Sequence, residues 1–138
     1  MSVKNIMSTR PVSVELDDKL ALVKDIFEHS KFHHLLVLDD GELIGIISDR
    51  DLFKAISPYV GTITETHRDS ATLNKRVHQI MSRKPIVLGE DASINEAITL
   101  FIEKNISCIP IVDANNRPIG IVSWRDILRH IPQDWDVN

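Results

Sequence analysis

The residues with the most chemical capacity sit in two matching pairs. Ser48 precedes Asp51 by three positions, and Ser123 precedes Asp126 by three. An ionised carboxylate is an acceptor only, whereas a hydroxyl both donates and accepts. The same spacing suits a helix start, with serine as the cap and an acid in the first turn against the helix dipole. That reading accounts for the spacing unaided. Arg50 and Arg125 stand just before the two aspartates. Each is a fixed planar cation able to meet phosphate, or to pair with a neighbouring acid. His33 and His34 are adjacent, but no Cys, His or acid lies at a metal-site spacing from them. Cys108 reads as a small buried hydrophobe. Trp124, between Ser123 and Arg125, suits stacking on a ligand or burial at an interface. No nucleophile triad, phosphate loop or G-x-G-x-x-G occurs. Nothing supplies an activated nucleophile or a tuned acid–base pair, so the chain reads as a non-enzyme.

These pairs belong to a longer repeat. Gly45-Ile46-Ile47-Ser48-Asp49-Arg50-Asp51-Leu52 returns as Gly120-Ile121-Val122-Ser123-Trp124-Arg125-Asp126-Ile127. Ile6-Met7-Ser8-Thr9-Arg10-Pro11-Val12 returns as Ile80-Met81-Ser82-Arg83-Lys84-Pro85-Ile86. The step is 74 from Ile6 to Ile80 and 75 from Gly45 to Gly120, so one residue is gained in between, and a hairpin loop accommodates it. A repeat this long means two copies of one supersecondary unit.

Each copy lists the same elements. An extended piece comes first, Pro11-Val12-Ser13-Val14 and Pro85-Ile86-Val87-Leu88. A helix follows, with Leu20, Val23 and Phe27 on one apolar face and Ile94, Ala97, Ile98 and Phe101 on the other copy's. Ser93 to Glu96 is a capping box. The matching position is Lys19, a poor cap, so Asp17 or Asp18 is expected to serve. Leu35-Leu36-Val37-Leu38 and Ile109-Pro110-Ile111-Val112 read as strands buried on both faces. Turn residues lead into Leu43-Ile44-Gly45-Ile46-Ile47 and Ile119-Gly120-Ile121-Val122, completing hairpins. Gly45 and Gly120 fit close backbone approach in the hairpin. A second helix starts near Ser48 or Ser123 and carries Leu52, Phe53 and Ile56, or Ile127, Leu128 and Ile131. Residues 57–75, rich in Thr, Ser and Asp, read as a partly mobile surface excursion. A short helix is expected at 76–81. The expected division is repeat one at 1–60, a linker at 61–75, repeat two at 76–132 and a short tail at 133–138.

Bulk properties narrow the class. The 138 residues suffice for a real core, and aromatics are only 5%, so that core is aliphatic. A net charge of −4 argues against a general nucleic-acid binder, which needs a basic face. It leaves room for one small phosphorylated ligand. A single cysteine forms no internal disulfide and fits a reducing compartment. No signal peptide and no run of about 20 apolar residues is seen, so the expected location is the cytoplasm, with no membrane partner.

The I-M-S-x-x-P opening, the Ile109-Pro110-Ile111-Val112-Asp113 strand and the two G-h-h-S-x-R-D endings resemble the CBS domain, named after cystathionine β-synthase. The resemblance covers residues 3–131. It implies an α+β fold: two β-α-β-β-α units packed as a pseudo-twofold pair with two related clefts. It also implies clefts that bind adenosine nucleotides or adenosyl derivatives, a regulatory rather than catalytic role, and homodimers formed through helices.

Carried onto this chain, the resemblance implies that Asp51 and Asp126 accept hydrogen bonds from both ribose hydroxyls. Ser48 and Ser123 would support ribose or phosphate. His33 and His34 match the place where imidazole or cationic groups face phosphates, which would make binding pH-sensitive. Ile86, Val87, Ile109 and Pro110, with Cys108 beside them, match the adenine slot. Arg125 is a further candidate, for phosphate. Copy one departs from this pattern, with Leu36 for the proline and the two histidines for small residues, so the two clefts are not expected to be equivalent. The expected function is a sensing module for AMP, ADP, ATP, NAD(H) or S-adenosylmethionine that signals to a partner protein or by assembly. The alternative is a structural or dimerisation module with vestigial clefts. An adenosine ligand is bound in the first case and none in the second.

Overall fold

The computed structural model describes residues 1–130; Ile131 and the expected 133–138 tail lie outside the described residues. The chain forms two compact units that do not follow the repeat boundaries. One is Val12–Pro85, and the other joins Met1–Pro11 to the residues from Ile86 onward. Each repeat's opening segment therefore belongs to the unit built by the other repeat.

In the Val12–Pro85 unit, β1 (Ser13–Glu15) leads into α1 (Leu20–Glu28), then β2 (His34–Asp39), β3 (Glu42–Ser48) and α2 (Asp49–Ala55). Next come α3 (His67–Ala71), 3-10 turns at Thr72–Asn74 and Val77–Gln79, and β4 (Ser82–Arg83). The sheet order is β1-β2-β3-β4, with β1 parallel to β2 and the other pairs antiparallel. The second unit has a 3-10 turn at Val3–Asn5, then β5 (Leu88–Gly89), α4 (Ile94–Lys104), β6 (Cys108–Val112), β7 (Pro118–Ser123) and α5 (Trp124–Arg129). Its sheet order is β5-β6-β7.

The continuous apolar runs are central strands. Leu35, Leu36 and Val37 are fully buried, and so are Ile109 and Ile111. The extra residue falls in the hairpin loop. Val37 pairs with Gly45 and Ile111 with Gly120, so the first loop is one residue shorter than the second. Asp40 and Gly41 both take positive φ, which suits a tight two-residue hairpin turn. The longer turn is held by Asp113 Oδ1, which accepts from Asn115 N and Arg117 N. Leu20, Val23 and Ala97 are fully buried, and Phe27, Ile94, Ile98 and Phe101 pack against the two cores.

The opening segments close the sheets. Val77 N donates to Asp18 O at 2.9 Å, and Val3 N donates to Ala92 O at 2.9 Å. β4 pairs with β3 at Gly45 and Ile46, and Ser8 bridges Ile121 in the same way. This explains the two hairpin glycines. A Cβ at Gly45 would come within 2.7 Å of Met81 Sδ and 2.9 Å of Ser82 O. At Gly120 it would overlap Met7 Sδ and come within 2.9 Å of Ser8 O. The close approach is thus to the I-M-S segment, not to the other hairpin strand.

Several expectations are corrected. The cap of α1 is Lys19 itself, with no side-chain bond; Asp18 Oδ2 instead accepts from Glu15 N. The backbone of the arriving segment does the capping, since Leu20 N donates to Lys75 O at 2.9 Å. Ser93 does cap α4, accepting from Glu96 N at 3.0 Å, but the expected capping box is only half made, since the Glu96 side chain does not return to Ser93 N. The first strands begin later than expected, so Ile86 and Val87 precede β5 rather than lie in it. Phe53 and Leu128 do not join the core; they are 69% and 53% exposed. Residues 57–75 hold helical turns rather than a plain loop. Ser57 Oγ donates to Asp69 Oδ1 at 2.7 Å, and Thr66 caps α3.

Candidate functional site

Both serine–aspartate pairs form reciprocal caps at a strand-to-helix junction. Asp51 N donates to Ser48 Oγ at 3.1 Å, and Ser48 N donates to Asp51 Oδ2 at 2.9 Å. Asp126 N donates to Ser123 Oγ at 3.3 Å, and Ser123 N donates to Asp126 Oδ2 at 2.7 Å. The hydroxyl and one carboxylate oxygen thus hold the helix start and fix the aspartate's orientation. Oδ1 takes no part in either cap. At Asp126 it faces Arg129 Nη1 at 3.4 Å, a long contact from a largely exposed side chain. Asp126 is buried and Asp51 half-buried.

The candidate residues gather by unit. Ile86, Val87, Cys108, Ile109, Pro110, Ser123, Arg125 and Asp126 fall in the second unit. His33, His34, Ser48 and Asp51 fall in the first. Strand pairing brings the members of each set together: Cys108 pairs with Ser123, and His34 with Ser48.

The junctions differ in chemistry. His33 Nδ1 lies 2.9 Å from Asp49 Oδ2, and Asp49 N donates to His33 O at 3.0 Å. Sequence reasoning did not single out Asp49; the repeat alignment, which sets Trp124 opposite it, carried the signal. Burial holds His34 below its ordinary value, with Asp49 and Asp51 pulling the other way and His33 adding to the fall. Its imidazole is therefore neutral near pH 7. Burial pushes the Cys108 thiol up to about 12, which keeps it from acting as a nucleophile. Among the described residues Arg125 pairs with no acid; its guanidinium lies over the Trp124 ring, 5.5 Å from the centroid.

Pro110 sets the backbone apart. In the first unit Leu36 N donates to Val12 O at 3.1 Å, extending the β1–β2 ladder. Pro110 occupies the matching position and has no N–H. The counterpart bond to Ile86 O cannot form, so β5 is two residues long where β1 is three. No group of three or more His, Cys, Asp or Glu suited to a metal ion occurs among the described residues. None of the helices in that range is long and apolar enough to cross a membrane.

Comparison with known proteins agrees with this geometry. The CBS domain family matches residues 3–58 and 77–133. A CBS domain-containing protein of Dictyostelium discoideum is 34% identical over 128 residues, covering 91% of this chain and 88% of its own. Among solved structures, the CBS domain pair of protein MJ0100, in complex with 5′-methylthioadenosine and S-adenosyl-L-methionine, aligns with a TM-score of 0.76 at 29% identity, over 94% of this chain and 98% of its own. CBSX2 in complex with AMP aligns with a TM-score of 0.77 at 25% identity, over 93% of each chain. With two family matches and the α+β fold of solved pairs, the chain belongs to the CBS domain family, as a tandem pair of CBS domains spanning nearly all of its length.

Proposed function

We propose that this protein is a regulatory module that binds an adenosine-containing metabolite at the serine–aspartate junctions and signals through conformation or assembly. The observation that carries the reading is the way each aspartate is held. Its Oδ2 and the serine hydroxyl are fixed by the cap, and Oδ1 is outside it. A carboxylate so oriented is a preformed acceptor for a vicinal diol such as ribose. The relatives with bound 5′-methylthioadenosine, S-adenosyl-L-methionine and AMP support adenosine as the common element. Ile86, Val87 and Pro110 supply an apolar lining for the base, whereas the Ile109 side chain is spent in the core; Arg125 supplies a cation for any phosphate. His33 is less suited to phosphate, since Asp49 already engages its Nδ1.

A ligand shifts a module of this kind only by its differential affinity for two states. The output then passes to a partner protein or to a homodimer. Phe53 and Leu128, exposed at matching positions of the two repeats, are apolar surface suited to such contact. The same caps also favour a second reading, an interaction module without ligand, because helix capping alone explains Ser48, Asp51, Ser123 and Asp126. Thermal unfolding separates the two. AMP, ADP, ATP, NAD(H) and S-adenosylmethionine are each added at about 1 mM, and a ligand at about 100 times its Kd adds about 2.7 kcal/mol. That is a rise of a few degrees in Tm. No rise with any of the five, on nucleotide-free protein, selects the interaction module.

A further inference from the structure

We propose that Met7 is an oxidation site: hydrogen peroxide converts its thioether to the sulfoxide, and the modified residue loosens the 1–11 segment from the second unit. The change needs no ligand at the junctions and goes beyond the reading above.

The sulfur chemistry of the chain falls to its methionines. Cys108 is buried, and burial keeps its thiol protonated, so peroxide finds little thiolate there. The three methionines differ in place. Met1 is 81% exposed and Met81 only 8%. Met7 is half-buried: it borders the cluster of Val3, Ile6, Ala97 and Val122, whereas Met81 is a buried member of the cluster around Leu35 and Ile47. Oxidation follows access to the sulfur, so Met1 reacts first, Met7 next and Met81 last.

Met7 joins that access to a structural task. Its thioether fills the space over Gly120 that a Cβ would take, with its Cγ 2.9 Å from that point. The oxidation moves two electrons. A sulfur lone pair attacks one peroxide oxygen, the O–O bond breaks, an S=O bond forms, and the other oxygen leaves as water. The product is a polar side chain, larger by one oxygen. Ile121 N, beside the glycine, already donates to Ser8 O at 3.0 Å. The sulfoxide therefore either stays against the apolar cluster with its oxygen poorly paired, or swings off the glycine and leaves the seat empty. Both weaken the hold on a segment whose buried side chains are Val3 and Ile6, and which is tied on by Val3 N to Ala92 O and by the Ser8–Ile121 pair. The corresponding 76–85 segment has further anchors: His78 N donates to Leu16 O at 3.0 Å, and Arg76 Nη1 donates to Asp17 O at 2.9 Å.

Treatment of the full chain with dilute hydrogen peroxide tests this. Peptide mass mapping follows the three methionines, with Met1 as the standard for a free side chain, and amide hydrogen exchange follows the segment. Met7 is expected to oxidise about tenfold faster than Met81. Exchange at Ser8 and Ile121 accelerates about tenfold as Met7 sulfoxide accumulates, and recovers after methionine sulfoxide reductases act with a thiol reductant. Met7→Leu conserves volume, so it keeps wild-type exchange and loses the peroxide response; Met7→Ile serves if the leucine variant does not fold. Met81→Leu keeps the response. Met7→Gln, a polar side chain of similar length, reproduces the faster exchange without peroxide. Oxidation of Met7 no faster than of Met81, unchanged exchange at Ser8 once Met7 is oxidised, or a peroxide response that survives Met7→Leu overturns the proposal.

Discussion

Replacing Gly120 with alanine tests how the N-terminal segment is held. The new Cβ overlaps Met7 Sδ and sits 2.9 Å from Ser8 O. The thioether is the flexible end of a side chain and can swing aside. The Ser8 carbonyl is backbone, and it is fixed by two bonds: Ile121 N donates to Ser8 O at 3.0 Å, and Ser8 N donates to Ile121 O at 2.9 Å. Relief of the clash must stretch or break that pair. Overpacking costs about 1–3 kcal/mol, and each lost hydrogen bond about 0.5–1.5 kcal/mol. Alanine also lowers the unfolded chain's entropy, which returns roughly 0.4–1 kcal/mol. The net expectation is a loss of about 2–3 kcal/mol by urea unfolding. Hydrogen exchange at Ser8 and Ile121 accelerates with it, because the damage is local to the docked segment. Gly45→Ala meets Ser82 O at the same 2.9 Å and behaves alike. Gly89, with nothing within 4 Å of its ideal Cβ, is the control and stays within about 0.5 kcal/mol. A Gly120→Ala protein as stable as wild type, with exchange at Ser8 unchanged, refutes the argument that these glycines exist to seat the opening segments.

Cys108 should resist thiol reagents at pH 8 in the folded protein and react only on unfolding, because burial holds its thiol near 12; rapid native labelling contradicts this. Ser93→Ala removes the side-chain cap of α4 and should cost about 1 kcal/mol in urea unfolding, whereas Lys19→Ala, at a cap made without a side chain, should cost far less. His34 has a folded pKa below its ordinary 6.5. The unfolded chain therefore binds the proton first, so its contribution is intact above about pH 6.5 and is lost as pH falls through that value. Wild type should lose stability faster than His34→Gln between pH 7 and 5, and parallel curves rule the argument out.

Most of the fold was legible because the sequence states it twice. The paired Gly45 and Gly120 motifs fixed the register of both hairpins, and the step from 74 to 75 located the longer loop. The continuous runs at Leu35 and Ile109 announced central strands, since only burial on both faces tolerates no polar alternation. What was not legible depends on contacts remote in sequence. Nothing near Lys19 predicts that Lys75 will cap α1. Nothing near Met7 says that it packs on Gly120 rather than on its own repeat. Phe53 and Leu128 follow an apolar pattern, yet α2 and α5 are short and their surroundings bury only the Leu52 and Ile127 side. At the site, the repeat located Ser48, Asp51, Ser123 and Asp126, and the turn chemistry foretold their caps. The His33–Asp49 pair was hidden because its members lie 16 residues apart and meet only through the β2–β3 hairpin.

The most direct test of ligand binding is an amide chemical-shift map of isotope-labelled protein titrated with AMP and, separately, with S-adenosylmethionine. The account predicts shifts that saturate and concentrate at residues 86–87, 108–109, 111 and 123–126. Shifts scattered over the surface without saturation, or a spectrum that neither compound alters, contradict it.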